Sequence, residues 1–348
     1  MINFRFHLIS LVAVFLALGV GVAMGASFVD RATVDSLRGR VDDLDEGYRR
    51  RGSELNAARD QLAASDAQAA ALAGQGSEAL ADRLAGASVV VIATDAVEGD
   101  SLDAARGSLA ASGAQMAGTL RLQPSLSDPS DAELATARQR LGLRGELAAV
   151  RSRIASDLGT ALAWLSAAPP DPEAGDVTTT TLAPDSTVVA RPTDPESARA
   201  YIGALSDLGM LSVADTDAVG DGRFPLGGAY RYVLVGAAGE DPEPVIVPLS
   251  TAEADLAPRT LTVAEAAAPR PAGEATTTTV DQPARGSFVA ALRESDAADA
   301  LSTVDDLEEA FGRIAVVYAV AEQRDSDRVG HYGTGTGATA PFPTVPAS

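Results

Sequence analysis

The chain has 348 residues with 27 basic against 48 acidic side chains, a net charge of -21. Such a surface repels nucleic acid and anionic headgroups, so neither is expected as a ligand. There is no cysteine, and every basic residue is arginine; disulfide frameworks, zinc–thiolate sites, thiol catalysis, Schiff-base chemistry and the P-loop lysine are all excluded.

In chain order, Leu8 to Phe28 is an uncharged apolar run, long enough to cross a bilayer as a helix and longer than the apolar core of most secretory signals. Residues 1–29 are therefore expected to form a transmembrane anchor, with Ala23-Met24-Gly25 leaving cleavage open. Gly21 and Gly25 share a helix face where a second helix could approach, although glycine is common in membrane helices anyway. Arg31, Arg38 and Arg40 follow the span and Arg5 precedes it, which counts against an exported body. Long carboxyl-terminal domains cross largely regardless of charge, and two Thr/Pro-rich stretches suit an exposed setting. The bulk of the chain is expected to be extracytoplasmic.

From Val34 the apolar residues step by three and four. Val34, Val41, Tyr48, Leu55 and Leu62 fall at heptad position a, with Leu37 and Leu44 at d. Arg51 and Ala58 at d weaken the seam, and Gly39, Gly47 and Gly52 each cost about 1 kcal/mol of helix stability. Residues 30–84 are expected to form a coiled-coil stalk that makes the protein a homo-oligomer; the other reading is an amphipathic helix lying on its own domain.

Residues 85–330 read as an α/β domain. Ala87 to Thr94 is a β-branched run of the kind buried on both faces of a sheet. A helix over Gly99–Ser112, closed by Gly113, and a strand over Ala114–Leu122 complete a parallel βαβ unit. The first turn, Thr94 to Asp100, holds one glycine and three acids where a dinucleotide fold needs G-x-G-x-x-G; the fold is expected to be Rossmann-like or flavodoxin-like without its usual ligand. Ala132 to Ser166 reads as helix with breaks at Gly142 and Gly145. Flexible insertions are expected at about 168–195, around Thr178–Thr181, and at about 268–285, around Thr276–Thr279. Between them, Pro195–Leu208 reads as helix, and Tyr230–Gly236 and Pro244–Leu249 as strands, with Pro248 suiting an edge.

Leu301–Leu307 reads as a short strand entering an acidic turn, and Ala310–Gln323 as an apolar helix or, alternatively, a buried strand. Residues 331–348 read as a Gly/Pro-rich tail. Its opening, V-G-H-Y-G-T-G-T-G-A, lacks the following helix that a phosphate cradle needs. His331, the only histidine outside the membrane region, has no neighbouring nitrogen or sulfur ligand, and tight copper binding takes several. Met116 and Met210 read as core residues. No catalytic, cofactor or metal residue can be named, no cofactor is expected, and no nucleophile, base and orienter assemble into an enzyme.

S-T-V-D-D (Ser302 to Asp306), G-R-I-A-V-V (Gly312 to Val317) and G-H-Y-G-T-G (Gly330 to Gly335), with the opening Phe6 to Leu18 and Gly19-Val20-Gly21, resemble the actinobacterial copper transporter family of mycobacterial copper transport protein B. The likeness is specific at both ends and loose between them, where the Thr-rich insertions depart from it. It implies an anchored cell-envelope protein of copper homeostasis or efflux, and a pore-forming outer-membrane role. The residues do not support the pore independently, because a closed membrane barrel needs at least eight strands of about ten residues. The alternative is a non-transporting coiled-coil envelope scaffold that binds a cell-wall or division partner.

Overall fold

A computed structural model describes residues 6–25, 48–49, 51–52, 80–167, 188–214, 229–269 and 286–343. The chain divides into two compact units, Met1–Gln68 and Ala69–Ser348. In the first, helix α1 (Phe6–Gly25) has 20 residues, a mean hydropathy of 2.5 and no buried side chains. At 1.5 Å per residue this matches the hydrocarbon thickness of a bilayer. Nearly all of the expected stalk, and both Thr-runs with most of their insertions, lie outside the described residues.

The second unit is an α/β body around one mixed seven-stranded sheet. Its strands are β1 (Ser88–Ala93), β2 (Gln115–Leu122), β3 (Leu211–Ala214), β4 (Tyr230–Ala237), β5 (Leu261–Ala266), β6 (Ser302–Val304) and β7 (His331–Tyr332). The order is β3-β2-β1-β4-β5-β6-β7. Every neighbouring pair is parallel except β2–β3. The sheet is open, with β3 and β7 at its edges.

Side chains alternate across the sheet and feed two cores. Val90, Ile92, Leu120, Tyr232, Leu234 and Val263 face one side. There they meet α4 (Asp131–Arg140), α5 (Leu147–Ala167), α6 (Pro195–Asp207), α7 (Ile246–Leu256) and α8 (Ser287–Arg293). Val89, Val91, Ala93, Val233 and Val235 face the other side, against α2 (Gly99–Ala111) and α9 (Ala310–Ser326). A strand covered on both faces carries no polar alternation, which is why β1 is the unbroken S-V-V-V-I-A. A single turn, α3 (Pro124–Ser127), follows β2. The helix ends obey local rules: Ser130 and Glu133 form a capping box for α4, and Asp194 and Ser197 one for α6. Gly142 and Gly145, at φ +60° and +116°, make the turn between α4 and α5.

The body's packing begins ahead of β1. Leu80 and Leu84 are buried, and Leu84 N–H donates to the Ser112 carbonyl at 2.8 Å. Arg324 on α9 donates to the Arg83 carbonyl at 2.9 Å and the Ala85 carbonyl at 3.3 Å. The chain is thus fastened to α9 as it approaches the first strand.

Two sequence expectations are corrected. Pro244–Leu249 is not a strand: Ile246 opens α7. Pro248 is the third residue of that helix, where a first-turn N–H has no intrahelical acceptor and proline loses nothing; a short apolar run does not separate helix from strand by periodicity. Residues 331–343 are not a tail either, since they include β7 and a bridge from Tyr332 to Ala340. Strands β3 and β5 and helix α8 are additions to the sequence reading.

Helices α5 and α7 approach so closely that a Cβ at Gly159 would overlap the Leu249 carbonyl. Gly159→Ala is therefore expected to cost about 1–3 kcal/mol through forced separation of the two helices. Urea unfolding of the detergent-solubilised chain should show a lower midpoint at unchanged slope.

Candidate functional site

Open sheets of this kind take ligands outside the carboxyl ends of their strands, where the strand order reverses. Here the reversal lies at β1, which pairs with β2 on one side and β4 on the other. The residues after β1 and β4 fill the crevice themselves. Glu240 accepts a 2.6 Å hydrogen bond from the Thr94 hydroxyl and a 3.2 Å bond from the Ala237 N–H on the same carboxylate oxygen. Burial pushes the Glu240 carboxyl above the usual carboxylate range and nearby Asp95 adds to it, against the two hydrogen bonds. Asp95 in turn accepts from the Ser127 hydroxyl at 2.9 Å.

The same arrangement recurs along the sheet. At the penultimate position of β5, where it still pairs with Gly236 of β4, Glu265 accepts from the N–H groups of Gly286 (2.7 Å), Phe288 (2.7 Å) and Val289 (3.3 Å). It thereby caps α8, whose Phe288 ring lies where a Cβ on Gly236 would otherwise sit. Directly after β6, Asp305 is fully buried. Its Oδ1 accepts from Thr334 N–H at 2.8 Å, and its Oδ2 from Gly335 N–H at 3.0 Å and Arg293 Nη2 at 3.0 Å. Successive backbone N–H groups form a concavity that binds anions. In this protein the anion is the chain's own carboxylate.

Arg293, at the end of α8, is 2% exposed. Nε donates to Thr303 Oγ1 at 2.8 Å, Nη1 to the Thr336 carbonyl at 2.7 Å, and Nη2 to the Tyr332 carbonyl at 2.9 Å as well as to Asp305. A Cβ on Gly333, whose φ is +123°, would overlap the Asp305 carboxylate. The glycine-rich motif therefore wraps a buried ion pair rather than a phosphate. Arg293, Glu265 and Glu240 were not singled out in the sequence. The available signal was a lone arginine ending the otherwise apolar S-F-V-A-A-L-R.

His331 Nδ1 lies 3.0 Å from Thr303 Oγ1. Because that oxygen already accepts from Arg293, its own proton is left for Nδ1, and the ring hydrogen then sits on Nε2. Burial, then the Arg293 charge, holds the imidazole below its usual pKa, with Asp299 opposing. Among the described residues no group of three or more His, Cys, Asp or Glu side chains could hold a metal ion. Met210 is buried in the first core, and Met116 is partly buried against the second, on the other face of the sheet.

One further acid lies off this face. Glu253 on α7 is fully buried, and burial raises its carboxyl to about 8 against the opposing effects of Thr260 and Arg231. Thr260 Oγ1 contacts both Glu253 and, at 2.8 Å, the Ala257 carbonyl. A hydroxyl has one proton for two acceptors, so the neutral acid supplies the second hydrogen.

The family model described as "Copper transport outer membrane protein, MctB" matches residues 1–343. The copper transporter MctB of Mycobacterium bovis (strain ATCC BAA-935 / AF2122/97) is 29% identical over 344 residues, covering 97% of this chain and 98% of the relative. The copper transporters MctB of Mycobacterium tuberculosis strains CDC 1551 / Oshkosh and ATCC 25618 / H37Rv match to the same extent.

Two outcomes follow from the buried charges. Arg293→Met strands Asp305 without its cation and is expected to cost about 3–5 kcal/mol. Asp103→Ala, which removes a surface pair between exposed Asp103 and partly buried Arg106, should cost under about 1 kcal/mol; thermal or urea denaturation compares them. For Glu253 the folded pKa lies above the unfolded value of 4.5. Its contribution is complete below pH 4.5 and is lost as pH rises to about 8. Glu253→Gln should flatten the fall in stability between these limits, by up to about 1.4 kcal/mol per pH unit.

Proposed function

Because the chain belongs to the copper transport outer membrane protein MctB family, we propose that it serves copper homeostasis and efflux as a single-pass cell-envelope protein. In this reading α1 is an uncleaved anchor and the body stands outside the cytoplasm. The observation that carries it is the family match over residues 1–343, which takes in the apolar helix and the body together. Copper is the cargo, and the mycobacterial relatives bear the name copper transporter.

We read the body as a degenerate Rossmann-like head. Support comes from the parallel run β2-β1-β4-β5-β6-β7, with helices on both faces and a reversal at β1. Carboxylates occupy the backbone donors where such folds hold a ligand, so this head serves as a frame and not as an enzyme. One spanning helix cannot line a channel, and passage of copper through this protein would need several copies. The heptad spacing over Val34–Leu62 supports such an assembly through a coiled-coil stalk.

Deleting the gene is expected to lower growth in graded copper. The full chain should restore it, and residues 26–348 without α1 should not. Copper tolerance that stays unchanged on deletion would refute the copper reading. A reporter enzyme active only outside the cytoplasm, fused after Ser348, should be active; a cytosolic signal would reverse the orientation.

A further inference from the structure

Residues 331–343 are attached to the body by thin apolar and rich polar contacts. The apolar part is Tyr332 and Ala340, with Phe342 against Phe311 at 4.7 Å and Tyr318 at 5.5 Å between ring centroids. Strand β7 contributes only the pairing of His331 and Tyr332 with Thr303 and Val304. Among the polar attachments, the Tyr332 hydroxyl donates to Glu322, the Thr334 hydroxyl donates to Asp306 at 3.1 Å and His331 Nδ1 meets Thr303, but the densest cluster is Thr334 and Gly335 N–H on Asp305 with the Tyr332 and Thr336 carbonyls on Arg293.

We infer that Gly333–Gly337 is a carboxylate receptor, that Asp305 is its resident ligand, and that this contact is the lock holding residues 331–343 against the body. Three observations carry it. The carboxylate meets two consecutive backbone donors and one guanidinium with no solvent exposure, the setting in which charge-assisted bonds are strongest. Gly333 has a positive φ and no room for a side chain beside Asp305, so the curl of the backbone is fitted to that group. The Arg293 donors that do not reach Asp305 go to Thr303 and to carbonyls of the strap. The receptor's ligand class is a small carboxylate, and the inference is independent of any role in copper transport.

Trypsin supplies the test, because Arg328 is exposed just ahead of the strap and no arginine follows it. After nicking of the detergent-solubilised full chain at Arg328, the peptide Val329–Ser348 should stay bound through gel filtration. In Asp305→Ala it should leave at least ~10-fold faster, equivalent to about 1.4 kcal/mol. Sodium formate should slow that loss more than sodium chloride at matched ionic strength. Equal release from both proteins would remove the lock, and equal effects of the two salts would remove the receptor. Should Asp305→Ala fail to fold, hydrogen exchange of the unaltered protein decides. Thr334 and Gly335 amides should be as protected as those of β6, and exchange at the rate of open loops would overturn the inference.

Discussion

A guanidinium taken out of water has to be answered at every donor, and Arg293 sets that demand for the carboxyl-terminal third of the body. Its partners come from three places in the chain: Thr303 in β6, Asp305 just beyond it, and the carbonyls of Tyr332 and Thr336. Satisfying it fixes the path of residues 302–336 and brings β7 to the sheet edge. Removing a charge from solvent costs several kcal/mol per ion before compensation. The density of hydrogen bonds here is therefore a requirement of the buried pair, and the glycines of the motif are what allow the backbone to supply them.

This solution bears on function through the face it uses. Backbone N–H groups at the carboxyl ends of a parallel sheet are the usual receptors for phosphate. In this protein Glu240 beyond β4, Glu265 near the carboxyl end of β5 and Asp305 beyond β6 take that place. The acidic turn after β1 already counts against a nucleotide. The structure extends the same logic to three more strands and supplies the hydrogen bonds.

Much of the body was legible beforehand where one physical signal dominates. The doubly buried β1 reads from its β-branched run, the α4–α5 turn from two glycines, and α6 from its opening at Pro195. Where signals conflict, reading failed. V-I-V-P-L in α7 carries strand composition, and only the tolerance of a first helical turn for proline reveals otherwise. L-T-V-A-E-A in β5 hides because Thr262 and Glu265 are polar yet buried, each paid for by a partner distant in sequence: Gln323 for one, the α8 amides for the other. The ending looked like a tail because glycine and threonine mark loops in composition. Its order comes from Arg293 and Asp305, which no local pattern connects to it.

The pairing of β1 with β4 has a kinetic side. Ser88 meets Tyr230 at the centre of the sheet, and everything from α2 to β3 lies between them in the chain. Folding must close that long loop before the central hydrogen bonds return anything, which makes the sheet slow to nucleate. The closure penalty grows only with the logarithm of loop length, about 0.6 kcal/mol per doubling. A threonine-rich stretch such as Thr178–Thr181, placed inside that loop, can therefore lengthen or shorten across evolution while the nucleation barrier scarcely changes.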